Sequence, residues 1–164
     1  MVIPNLIRTM QKEVLLDMLA QNRTTCSFAF DQITDENLNF RLNEETASIG
    51  FIYRHVGEMM NLFGLFFGLP VETHNTTMGE LDRGQGQDLV GSQALVAASY
   101  AMFQAYVETT ADETWHDLIE TPFFGSVSRA RLFGHVLFHT AHHAGQISLT
   151  LSRGKKMLQS YATD

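Results

Sequence analysis

Apolar side chains recur every three or four residues along four long stretches of the chain, and polar stretches rich in Gly, Asn, Asp and Thr separate them. Such spacing gathers apolar residues on one face of a helix of 3.6 residues per turn, so it predicts helices rather than strands. The first helix is expected from about Pro4, a residue suited to a first turn, to about Phe30. Leu6, Met10, Val14 and Met18 share its face, and Asp31 to Thr34 mark its end. The second is expected to be capped by Ser48, to carry Ile52, His55, Val56, Met59, Phe63 and Phe66 as its stripe, and to stop at Pro70. Val71 to Gly91 is mostly polar and is broken by Gly79, Gly84, Gly86 and Gly91. That is too long for a hairpin turn and predicts a crossover along a bundle.

Ser92 is the expected cap of the third helix, which carries Leu95, Val96, Tyr100, Phe103 and Tyr106 to about Thr109. A short irregular or half-helical piece with Trp115, Leu118 and Ile119 then leads to Pro122. The fourth helix is expected from Ser126 or Ser128 to about Arg153, with Gly154 at its end. Residues 155–164 read as a polar tail with room for one more turn. No strand-like alternation persists, and no internal repeat is visible. The pattern predicts an all-α protein, a four-helix bundle with a long crossover, formed as a single domain over residues 1–164.

Composition narrows the function classes. Hydrophobic residues make up 45% of the chain and charged residues 18%, the balance of a soluble globular protein. The formal net charge is −7 and the only basic cluster is the Lys155, Lys156 pair, which argues against nucleic acid as a partner. The longest apolar run, Leu62 to Leu69, is far short of the ~20 residues that span a bilayer. Cys26 is the single cysteine, so no intrachain disulfide forms, and it is expected to be a small buried hydrophobe. The opening MVIPNLIRTMQKEV lacks the unbroken apolar stretch of a secretory signal, and the expected location is the cytoplasm.

The seven histidines change the picture, because His135, His139, His142 and His143 crowd into the fourth helix. At ~100° per residue, with His135 at zero, His139 falls at roughly 40°, His143 at roughly 80° and His142 at roughly −20°. Leu132, Val136, Ile147 and Leu151 span roughly 60° to 160° on the same wheel. His139 and His143 therefore point into the bundle, and His135 and His142 sit at the edge of its apolar face. Two imidazoles at i and i+4 can converge on one ion. His55 lies within the apolar stripe of the second helix, where an unpaired ring would be costly and coordination would satisfy it. These residues make His55, His139 and His143 the candidate ligands of one divalent transition metal, with His142 the nearest competitor.

The string His139-Thr-Ala-His-His143-Ala-Gly-Gln146-Ile147 resembles the H-x-x-H-H-x-G-Q-I signature of the DinB/YfiT-like metal-binding bundle proteins. Ser48-Ile-Gly-Phe-Ile-Tyr-Arg-His55-Val is similar to that family's second-helix motif. The family commonly carries Arg before the glycine, where this chain has Ala144. The resemblance implies a three-histidine site with an open position, bound to zinc, nickel or a similar ion, and frequent homodimers. It also implies a small-molecule substrate and, for some relatives, a low-molecular-weight thiol such as bacillithiol or mycothiol as cosubstrate. Phe66, Phe67, Met59 and Met60 cannot all face one core from a single helix, which adds to the expectation of a homodimer.

Two functional readings follow. One is a metal-dependent enzyme, transferase-like with a thiol or hydrolase-like with water. The other is a non-catalytic metal-binding protein whose ion ties two helices together. A carboxylate-bridged di-iron bundle would need Glu-x-x-His pairs on two helices, and only His55 with Glu58 approaches this, in reversed order. Trp115, Tyr53, Tyr100 and Tyr106 read as core or as pocket lining, and His74 and His116 as solvated loop residues. Gln146 reads as a packing amide or as an orienter of a ligand.

Overall fold

The computed structural model describes residues 4–71 and 74–156, with side chains from residue 11 to 155 outside the gap. Its long elements are helices α1 (Pro4–Phe30), α2 (Ile49–Phe66), α3 (Leu89–Thr109) and α4 (Arg129–Arg153). Around them lie four short strands, β1 (Phe40–Arg41), β2 (Leu118–Thr121), β3 (Gly125–Ser128) and β4 (Lys155–Lys156), and a 3-10 turn at Asp112–His116. Each of α1 and α2 packs on both α3 and α4, so that α1 and α2 are diagonal to one another. Lys12 reaches Glu108 and Asn22 meets Tyr100, which makes α1 antiparallel to α3. Asn61 meets Ser99 with α2 and α3 running together, and Arg129 reaches the carbonyl of Phe67, so α2 runs against α4.

Local signals set most helix ends. Ser48 caps α2 by accepting the amide of Phe51, Ser128 caps α4 by accepting that of Arg131, and Gly154 follows Arg153. The α3 cap differs from expectation. Asp88, not Ser92, accepts the amide of Gly91, and the helix begins at Leu89. Ser92 is buried one turn inside. A carboxylate at the helix start also meets the positive end of the helix dipole, an advantage over a hydroxyl.

The segment read as irregular or half-helical is a 3-10 turn followed by an antiparallel hairpin, with Leu118 opposite Ser128 and Thr121 opposite Gly125. Its three-residue loop, Pro122 to Phe124, closes on Gly125 at φ 62°, a left-handed conformation that only glycine adopts cheaply. Four-residue strands are too short to stand out as alternation in sequence, but Ile119 and Val127 do point inward together. Lys155 and Lys156, expected in a polar tail, pair with Arg41 and Phe40. Residues 157–164 of that tail lie outside the described residues.

The core joins all four helices through Leu19, Cys26 and Phe30 of α1, Ile49 and Phe63 of α2, Phe103 of α3 and Leu132, Phe133, Val136 and Ile147 of α4, with Trp115 beside them. Cys26 and Trp115 are fully buried and Tyr53 and Tyr100 are buried, which identifies these three aromatics as core, while Tyr106 is half-buried. Met59, Met60 and Phe67 are likewise buried within the chain and Phe66 is half-buried. Much of the surplus of apolar residues on α2 is thus covered within the chain, Phe67 against Phe103 and Tyr106 of α3 and Phe66 against Phe123 of the hairpin loop. Among the described residues no helix is long and apolar enough to cross a membrane.

The crossover between α2 and α3 is held close against the bundle. Asp82 accepts the amide of Ser48 and pairs with Arg41 at 2.7 Å. Gly86 lies so near the backbone of Gly50 and Phe51 that a Cβ there would collide with main-chain atoms. This close approach fixes the loop over the first turn of α2 and directs its preceding stretch, residues 74–78, along the helix toward His55.

Candidate metal centre

The three rings expected to converge do so. The ligand atoms of His55 on α2 and of His139 and His143 on α4 all lie within 4.8 Å of one another. The Nε2 atoms of His139 and His143 are 3.1 Å apart. Two nitrogens bound to one tetrahedral zinc at ~2.0–2.1 Å stand about 3.3 Å apart, so the cluster suits such an ion with small side-chain adjustments. His139 and His143 meet because they are one turn apart on α4. His55 joins them because α2 and α4 run antiparallel, a pairing that also sets Phe63 beside His135.

Two of the rings are oriented from outside. Nδ1 of His143 lies 2.7 Å from Oε1 of Gln146, an oxygen that only accepts, so Nδ1 carries the proton and Nε2 turns its lone pair inward. Gln146 therefore orients a ring of the cluster rather than serving as a packing amide. Nδ1 of His55 lies 3.0 Å from the hydroxyl of Thr77. That hydroxyl donates to Oε2 of Glu58 at 2.8 Å.

Glu58 is buried and receives four donors: Nε of Arg54, the amide and hydroxyl of Thr76, and the hydroxyl of Thr77. Burial alone would raise its carboxyl, but the bonds from Arg54, Thr76 and Thr77 together outweigh burial and hold it below the usual carboxylate range. It remains outside the three-histidine group, and no Glu-x-x-His di-iron arrangement forms among the described residues.

Desolvation favours neutral rings. Burial, reinforced by His143 and opposed by Glu58, pushes His55 down to about 4. Burial and the surrounding rings of His143, His55, His135 and His142 push His139 down to about 3. His143 is lowered chiefly by burial, against the bond to Gln146. At neutral pH all three offer lone pairs, the form a metal requires.

The remaining histidines are not members of this group, although His135 and His142 neighbour it. His142, the nearest competitor in helical register, is exposed, stacks on Phe138 and contacts Nε2 of Gln146. His135 is half-buried between Phe124 and Phe63, with ring centroids at 4.6 Å and 5.2 Å. His74 and His116 are exposed. Ala144 is buried in the helix interface, so a side chain as long as arginine has no counterpart here. Sequence reasoning missed Thr77 and the hairpin residues Phe123 and Phe124, and weighed Glu58 only as a di-iron ligand. Only Glu58 carried a local signal, its i,i+4 spacing from Arg54.

Two solved structures share this architecture. YfiT from Bacillus subtilis, described as "a probable metal-dependent hydrolase with an unusual four-helix bundle topology", superposes with a TM-score of 0.69 at 17% identity, covering 93% of each chain. A conserved protein from Enterococcus faecalis superposes with a TM-score of 0.61 at 14% identity, covering 84% of this chain and 93% of the other. No curated protein sequence matches the chain. Residues 18–147 match the DinB superfamily, and because that span runs from α1 through the histidine pair of α4, the chain belongs to this superfamily.

Proposed function

We propose that the protein is a metal-dependent enzyme in which His55, His139 and His143 hold one divalent ion, zinc or nickel, and activate a water or a low-molecular-weight thiol for attack on an electrophilic small molecule. The observation that carries this reading is the donor set, three neutral imidazoles with no carboxylate or thiolate among them. An ion so held keeps its full double positive charge and supplies the Lewis acidity that makes a water or thiol nucleophilic near neutral pH.

The chain's own residues support that role. Gln146 and Thr77 orient two of the rings, and Glu58, held by its own four donors, stays outside the three-histidine group. Phe63 packs on both His139 and His135 and makes one side of the site apolar, which lowers the local dielectric. A purely structural ion usually takes four protein ligands, often cysteines. The one cysteine of this chain, Cys26, is buried in α1. The description of YfiT as a probable metal-dependent hydrolase favours water, and the signature's resemblance to thiol-using relatives favours a thiol.

The test uses untagged protein whose metal content is measured by elemental analysis. Holo protein, chelated protein and the His139→Ala variant are compared for hydrolysis of ester and amide substrates. The same three are compared for conjugation of bacillithiol, mycothiol or glutathione to monochlorobimane. Turnover confined to the holo protein is the expected result. Equal rates in all three preparations would overturn the catalytic reading and leave a metal site without turnover.

A further inference from the structure

We propose that Thr77 and Glu58 form a positioning relay that locks His55 in a single tautomer, with the proton on Nδ1 and the Nε2 lone pair turned toward His139 and His143. The inference deepens the proposed function, because it rests on His55 being a ligand.

Counting protons fixes the direction of each bond. Glu58 accepts at Oε1 from Nε of Arg54 (2.8 Å) and the hydroxyl of Thr76 (2.7 Å), and at Oε2 from the amide of Thr76 (2.8 Å) and the hydroxyl of Thr77 (2.8 Å). Arg54 and the Thr76 amide are obligate donors, one to each oxygen, which is the demand an ionised carboxylate meets. The Thr77 hydroxyl has one proton, and Glu58 takes it. Its contact with Nδ1 of His55, at 3.0 Å, can then be a hydrogen bond only if the histidine donates. With Nδ1 protonated, the neutral ring has its lone pair on Nε2.

The relay is also rigid. Thr77 and Glu58 are 2% and 1% exposed, so water does not compete for these bonds. The side chain of Asn75 accepts the amides of Thr77 and Met78 and fixes the backbone that presents the hydroxyl. A carboxylate acting through a hydroxyl on a ligating imidazole is the arrangement that orients metal ligands and raises their basicity. Here it reaches from the crossover loop to α2, and Gln146 plays the matching part for His143 from within α4.

The experiment has two readouts. In metal-free protein labelled with nitrogen-15, long-range proton–nitrogen correlation spectra above pH 7 assign the His55 tautomer. Zinc affinity of wild type, Thr77→Ser and Thr77→Val is then measured by competition with a chromophoric chelator. Expected are a pure Nδ1–H tautomer in wild type and Thr77→Ser, its loss in Thr77→Val, and zinc affinity about 10–100-fold weaker for Thr77→Val alone. A wild-type ring protonated on Nε2 would overturn the relay. So would equal zinc affinity in all three, or a loss in Thr77→Ser as large as in Thr77→Val, which would make Thr77 a packing residue. Should Thr77→Val fail to fold, the tautomers of wild type and Thr77→Ser still decide. Wild type that took up neither zinc nor nickel would defeat the proposed function, while the tautomer would judge the relay separately.

Discussion

Two polar clusters lie on different faces of α2, and they are completed in different ways. Toward α3, Asn61 donates to the Ser99 hydroxyl at 2.7 Å, and Ser99 gives its own proton to the carbonyl of Leu95 at 2.8 Å. Donor meets acceptor, and the chain closes the cluster by itself. Toward α4, the outer nitrogens of His55 and His143 are tied to Thr77 and Gln146, and the inner nitrogens gather with that of His139. A structural contact pairs unlike groups, whereas this site gathers three imidazole nitrogens, a donor set suited to a divalent cation.

The largest expected effect comes from removing one of these imidazoles. His55→Ala, His139→Ala or His143→Ala should each reduce metal content from about one ion per chain to near zero, by elemental analysis after dialysis. Asn61→Ala, His74→Ala, His116→Ala and His142→Ala should retain it. Equal content throughout would dissolve the distinction between the two clusters.

Chelation should come next in size. A ligand at a hundred times its dissociation constant stabilises by about 2.7 kcal/mol, or roughly 5–11 °C in melting temperature for a chain of this length. Differential scanning calorimetry should record that loss in wild type. Asn61→Ala should melt lower with and without metal but show the same metal-dependent shift.

Acid should separate the clusters again. The His55 and His139 pKa values, lowered in the folded protein to about 4 and about 3, mean that the unfolded chain binds protons first. Metal-free stability is therefore full above the ordinary histidine pKa of about 6.5 and falls as pH drops from there toward those folded values. Urea unfolding of chelated protein between neutral and acid pH measures this. The slope should shrink in the His55→Ala, His139→Ala double variant and remain in Asn61→Ala. The smallest effect is the stability cost of Asn61→Ala itself, about 1–2 kcal/mol at neutral pH, because Ser99 keeps its bond to Leu95.

Much of the candidate site was legible because its information is local. His139 and His143 share a face by helix geometry alone, and the apolar neighbours of His55 fix its direction whatever α2 packs against. The same locality made the Ser48 and Ser128 caps and the helical stretches readable. The β2–β3 hairpin was not, since four-residue strands carry too few alternations, and Ser92 lost to Asp88 because two capping residues stood within one turn.

The sequence by itself thus determined the helices, the inward histidines and the family. Only the tertiary structure decided that α2 runs against α4, bringing His55 to the pair on α4, and that a polar loop twenty-two residues downstream presents Thr77 to that ring. Periodicity reports the direction of a side chain from its own helix axis. Which groups meet across elements depends on the packing of helices and on the path of the loop, which here depends on Gly86 lying against Gly50.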